Sequence, residues 1–175
     1  MQRSIIPSNQ DLTILQGVTS LVLFVQVKVK EIARLGRRFS WPKPLFCPRC
    51  SGKLWGHGFV LSYFSSVHEG IYLRRLRCSC CGAVHRLRPY GYFRRFRSSI
   101  AEILSCILYR NRKKRWFPGL PRSLQRLWWR SLRRMIKLIL GMNFQGDEHE
   151  GYQIIITQNI IPLTRATQKE NMTVQ

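Results

Sequence analysis

Apolar positions change their period several times along this chain, and each change predicts an element. VLFVQVKV, residues 22–29, alternates like a strand, and KEIARLGRRF continues as a short amphipathic turn. KLWGHGFVLSYFSS (53–66) reads as a strand, VHEG (67–70) as a turn and IYLRRLRC (71–78) as the returning strand. AVHRLRP (83–89) makes the next strand, ended by Pro89. Along 71–77, Ile71, Leu73, Arg75 and Arg77 fall on one face and Tyr72, Arg74 and Leu76 on the other, so neither face is cleanly apolar. A sheet this small buries little core of its own.

From Ser99 the period becomes helical. Ser99 and Glu102 have capping-box spacing, in which each side chain satisfies the other's free backbone N–H. Ile100, Ile103, Leu104, Ile107 and Leu108 form one stripe, with Cys106 on the apolar face as packing. The stripe runs into Arg110, Arg112, Lys113, Lys114 and Arg115, cations favourable at a helix's carbonyl end, before Trp116 to Gly119 break it. LPRSLQRLWWRSLRRMIKLIL (120–140) predicts a second helix, with Leu124, Leu127, Trp128, Leu132, Met135 and Ile139 as its apolar face. Arg122, Arg126, Arg130, Arg133, Arg134 and Lys137 take much of the remaining circumference. GLPRSLQRLW resembles the turn and second helix of helix-turn-helix modules, although the interval between the helices looks longer than the usual turn. Beyond Gly141 the chain is nearly neutral, with GDEHEG (146–151) read as a solvated loop, GYQIIITQN as a strand and Pro162 as a break.

Charge narrows the range of partners. Of 30 Lys and Arg, 25 lie between Arg34 and Lys137, a stretch holding only 2 of the 8 acids, and the whole chain carries +22. Such a region repels itself without polyanions, so nucleic acid is the default partner. The acids are too few and scattered for a carboxylate-held divalent metal, and no GxSxG, HExxH or P-loop pattern occurs, so no catalytic residue and no enzyme is expected. LTILQGVTSLVLFVQVKV (12–29) is almost long enough to span a bilayer, but Gln16, Thr19, Ser20 and Gln26 interrupt it. No basic region beyond Arg3 and no small-residue cleavage site accompanies it, so a buried strand and a cytoplasmic, nucleoid-associated protein are expected.

The cysteines supply the chemistry. CPRC (47–50) and CSCC (78–81) each hold a C-x-x-C pair, 27 residues apart, and two such turns complete a tetrahedron of thiolates. One structural Zn²⁺ on Cys47, Cys50, Cys78 and Cys81 is the expectation, with Cys80 as spacer. Two substitutions stay open: Cys80 for Cys78, or His85 for a thiolate. Redox-active thiols and an iron–sulfur cluster are the alternatives, and nothing else in the chain suggests electron transfer. Turns of this kind need positive φ just after the second cysteine, where glycine belongs; Gly82 follows Cys81 directly, and Gly52 follows Cys50 by two.

WPKPLFCPRC, LWGHGFV, YLRRLRCSCCGAVHRLRPYGYFRRF and FPGLPRSLQRLWWRSLRR, over about residues 41–135, resemble an uncharacterised bacterial family of short zinc-ribbon proteins that carries a domain-of-unknown-function label. Its members lie near transposition genes. The resemblance supports the same four cysteines as ligands and implies association with mobile DNA, with a transposase or recombinase as protein partner. The chain departs from the family at Ser51, a place usually glycine, and at the extra thiol of Cys80.

The expected architecture is small α+β: a three-stranded zinc ribbon followed by a two-helix, helix-turn-helix-like segment. Its divisions are an N-terminal strand and amphipathic segment (1–40), the ribbon (41–97), the basic helices (98–140) and an appended element or tail (141–175). The expected function is a non-enzymatic, zinc-stabilised DNA-binding protein, a transposition accessory or mobile-element regulator. Arg122, Arg126, Arg130, Arg133 and Arg134 would face DNA, with Lys113, Lys114 and Arg115 on flanking phosphates. RNA is the alternative, through stacking on Trp55, Tyr63, Tyr90, Tyr92 and Phe93. A cationic membrane-surface protein using 12–29 and 120–140 is a weaker one.

Overall fold

VLFV folds as strand β1 (Val22–Val25), but the strand ends there and helix α1 (Val29–Leu35) begins four residues on, followed by a 3-10 turn at Gly36–Arg38. The computed structural model describes residues 22–158 and 160–163; the apolar residues 12–21 and the chain from 164 onward lie outside the described residues. Strands β2 (Leu54–Ser62), β3 (Ile71–Cys78) and β4 (Val84–Pro89) follow, then helices α2 (Ile100–Lys113), α3 (Arg122–Ile139) and α4 (Glu148–Thr157). The chain divides after Ile100 into two compact units.

In the first unit the sheet order is β1-β4-β3-β2, with β1 parallel to β4 and the other pairs antiparallel. The expected three-stranded ribbon is thus a four-stranded mixed sheet. Without β1, the outer edge of β4 would leave a row of unpaired backbone groups; Val22 to Val25 pair with it from Arg86 to Pro89. β1 and α1 therefore belong to the same unit as the ribbon strands.

β3 mixes apolar and charged residues on both faces because both faces are partly covered. Leu76 on one face and Ile71 and Leu73 on the other are all buried. On the Leu76 side the core gathers Val25 and Leu87, Trp41 after the 3-10 turn, and Val29 and Ile32 of α1. Arg37 lies 4.4 Å from the ring of Tyr72 on that same face. On the opposite face Phe64 and Tyr92 pack edge to face at 4.8 Å and cover Arg88, which stacks 4.9 Å from Phe64 and donates to the Phe96 carbonyl. Burial, then the charge of Arg86, pushes the Arg88 guanidinium down to about 10.

In the second unit, α3 buries Gln125, Trp128, Ser131, Leu132, Met135 and Ile136, a stripe at helical spacing. The expected apolar face is corrected at Leu127, which is 39% exposed, while Ile136 packs instead. The expected strand at GYQIIITQN is also corrected: these residues form most of α4. Asp147 caps that helix, its side chain accepting from the Glu150 N–H at 2.8 Å, and Glu148 and Glu150 fill its first turn. The acids of GDEHEG are therefore a helix start, where carboxylates complement the N-terminal dipole. A Cβ at Gly151 would stand 2.5 Å from Ile136 Cδ1, so the glycine is what lets α4 approach α3.

Residues 114–121 connect α2 to α3, eight residues rather than the three to four of a helix-turn-helix turn. The connection is nevertheless fixed. Buried Gln125 accepts from Phe117 N–H at 2.9 Å and donates to the carbonyls of Phe117 and Leu120 at 2.7 and 2.8 Å. Phe117 packs on Tyr109, and Trp116 lies under Arg110 at 4.4 Å. Gln125→Ala should therefore cost about 2–3 kcal/mol, the sum of lost bonds and stranded backbone groups. Urea unfolding of the variant checks this, and a loss below about 0.5 kcal/mol, the level of a plain surface substitution, would contradict the clasp.

Candidate metal centre

The sequence places CPRC before β2 and CSCC between β3 and β4, and the two turns fold alike. Cys47 N–H donates to the Gly52 carbonyl at 2.8 Å, and Cys78 N–H to that of Ala83 at 2.9 Å. Arg49 N–H lies 3.4 Å from Cys47 Sγ, as Cys80 N–H does from Cys78 Sγ. Each turn is closed by a residue pair spanning it, Phe46 with Lys53 and Arg77 with Val84. Cys80 thus holds the place that Arg49 holds in the first turn, and its side chain is exposed.

Between them the turns bring together the sulfurs of Cys47, Cys50, Cys78 and Cys81, all within 4.8 Å of one another. Cys47 and Cys81 stand 3.7 Å apart, and Cys50 and Cys78 3.4 Å. Sulfurs bound tetrahedrally at Zn–S distances of about 2.3 Å stand roughly 3.8 Å apart, so the group can hold a metal ion and is compatible with a structural zinc. Its electrostatics favour a cation as well. The Cys81 N–H, then that of Cys80, hold the Cys78 thiol down to about 6 against desolvation. Cys50 is raised despite the Gly52 N–H, because the Cys78 sulfur and desolvation outweigh it. Cys81 is raised despite the Ala83 N–H, through Cys50 and desolvation. One thiolate forms readily and suppresses its neighbours until a metal neutralises them all.

His85, on β4 and fully buried, sets Nε2 3.3 Å from Cys47 Sγ, beside the four sulfurs. Cys106 is buried on α2, and desolvation followed by Glu102 pushes its thiol up to about 11, as befits packing. The expected role of Gly52 is corrected: Ser51 takes the positive φ, at 57°, as Gly82 does at 70° in the second turn. Gly52 is required by proximity, since a Cβ there would lie 2.7 Å from Cys80 Cβ and 3.0 Å from Cys78 Sγ. A left-handed serine costs about 1 kcal/mol or more, part of which glycine returns through a looser unfolded chain. Ser51→Gly should thus stabilise the metal-loaded protein by about 0.5–1 kcal/mol. A thermal melt with an unchanged or lower midpoint would refute that account.

No protein family, curated protein or solved structure matches this chain.

The residues expected to meet nucleic acid lie in the second unit. Arg122, Arg126, Arg130, Arg133, Arg134 and Lys137 are all on the exposed side of α3. Arg122, Arg126 and Arg130 follow one another at four-residue intervals, along a helix of 18 residues, or about 27 Å. Arg133 is engaged by Glu148, 3.5 Å away, an exposed pair of the kind worth about 0–1 kcal/mol. Lys113, Lys114 and Arg115 are exposed at the end of α2, where Lys114 turns the backbone with φ 54° and its N–H caps the Arg110 carbonyl. Of the aromatics expected to stack on RNA, Trp55 and Tyr63 are exposed, whereas Tyr92 and Phe93 are buried and withdrawn from that role. Among the described residues, no helix is long and apolar enough to cross a membrane.

Proposed function

We propose that this is a non-enzymatic, zinc-stabilised DNA-binding protein. The single observation that carries the reading is the division of α3 into two sides: its apolar residues are buried while a line of guanidinium groups faces outward. Arginine forks on an exposed helix suit phosphates and, in a major groove, guanine edges. α3 would then act as the recognition helix of a helix-turn-helix-like pair whose longer connection is held by Gln125. Zinc on the four cysteines stabilises the first unit and takes no part in chemistry. The sequence resemblance adds a role as a transposition accessory or regulator of a mobile element, with a transposase or recombinase as partner. Duplex binding measured against salt tests the reading. About six neutralised phosphates give a log–log slope near −5, and binding indifferent to salt would remove it.

A further inference from the structure

The first unit carries a basic surface of its own. Arg75 on β3 pairs directly with Arg86 on β4, and Trp55 on β2 pairs directly with Arg77. Since side chains alternate along a strand, Arg75, Arg77, Arg86 and Trp55 all belong to one face of the sheet. Arg75 and Arg77 are spaced about 6.7 Å apart along β3. Arg86 starts about 5 Å across from Arg75.

Like charges directly opposed in a sheet are destabilising, and nothing on the protein offsets these. Among the described residues no carboxylate lies within ion-pair distance of Arg75, Arg77 or Arg86. The acids of the described part of this unit are Glu31, on α1, and Glu69, in the turn at the far end of β3. Arg75 Nε is buried without a hydrogen-bond partner. Farther along the same face the sheet closes under Phe64 and Tyr92. Toward the second cysteine turn it stays open, where Trp55 is 62% exposed and lines a depression with His57, Arg77, Ser79 and Cys80. A run of unpaired guanidiniums beside an open indole is complementary to one ligand class, a phosphodiester chain with accessible base faces.

We propose that this face binds an unpaired nucleic-acid strand, with Arg75, Arg77 and Arg86 on its phosphates and Trp55 stacked on a base. A duplex hides its base faces, so Trp55 selects for single strands. The inference shares polyanion chemistry with the reading of α3 but uses different residues, so either can fail alone.

The test uses the full-length, metal-loaded chain and fluorescence anisotropy with labelled oligothymidylate, oligouridylate and a duplex. Trp55→Ala should weaken single-strand binding about tenfold and leave duplex affinity within about twofold, whereas Trp55→Phe should retain most of the affinity. Arg77→Gln with Arg86→Gln should lower the single-strand salt slope by about 2 units of the log–log plot. The ratio of oligothymidylate to oligouridylate affinity assigns the sugar. Wild-type single-strand affinity in Trp55→Ala, or an equal loss for duplex and single strand, overturns the proposal. Unchanged metal content and circular dichroism certify that the variants are folded. Duplex binding that survives the sheet variants but is lost with arginine substitutions in α3 marks the two surfaces as separate.

Discussion

Chelation of the bound metal should unfold the sheet of residues 22–89 and expose thiols in a defined order. Structural zinc sites of this type contribute an apparent 10–16 kcal/mol or so, comparable to or larger than the roughly 5–15 kcal/mol total stability of most domains. The core around Leu73, Leu76 and Leu87 is small and shares its sheet with several arginines, so it has little reserve once the cysteine turns separate. Purified protein should carry about one zinc per chain. In that state an alkylating reagent should label Cys80 rapidly, because it is exposed and outside the cluster, while Cys106 reacts slowly. After chelation Cys47, Cys50, Cys78 and Cys81 should become reactive too, with loss of the near-ultraviolet signal of Trp41. Cys47→Ser and Cys81→Ser should abolish stoichiometric metal, whereas Cys80→Ser should keep it. Equal labelling of Cys50, Cys80 and Cys81 in the purified protein, or metal content near zero, would contradict the site.

The cysteine cluster was the most legible part of the sequence because C-x-x-C spacing is a local property of a turn, and two turns suffice to make the group. The helical period of α3 was equally plain, since arginines at 122, 126 and 130 mark one face whatever packs on the other. What escaped depends on contacts distant in sequence or on backbone detail. Pairing of β1 with β4 joins residues some sixty positions apart, and nothing in VLFV specifies its partner. The Ile-rich run before Thr157 has strand propensity, yet Asp147 and the acids after it start a helix that Gly151 seats against Ile136; tertiary packing overrode the local preference. A reading of Asp147-x-x-Glu150 as a cap followed by first-turn acids would have found α4. Gln125 resembles any polar helix residue until the connection it clasps is known. Ser51 hid in the same way, because the expectation of glycine pointed to its neighbour.

Replacing Arg122, Arg126 and Arg130 together with glutamine should weaken duplex DNA binding about a hundredfold at physiological salt, roughly 1 kcal/mol for each lost contact. The same variant should flatten the salt slope by nearly 3, one unit for each phosphate no longer neutralised. Glutamine has almost the helix propensity of arginine, and these positions are exposed, so α3 should remain intact and the loss should be electrostatic. Arg133 provides an internal control. Glu148 draws its guanidinium back along the protein surface, so Glu148→Gln should release it and strengthen duplex binding modestly, by about threefold or less. Opposite signs for the two variants are what a phosphate-facing stripe requires, whereas simple loss of fold would lower affinity in both. If neither variant alters duplex affinity while flotation with anionic liposomes after nuclease treatment depends on the same arginines, α3 is a lipid-facing helix and the DNA reading falls.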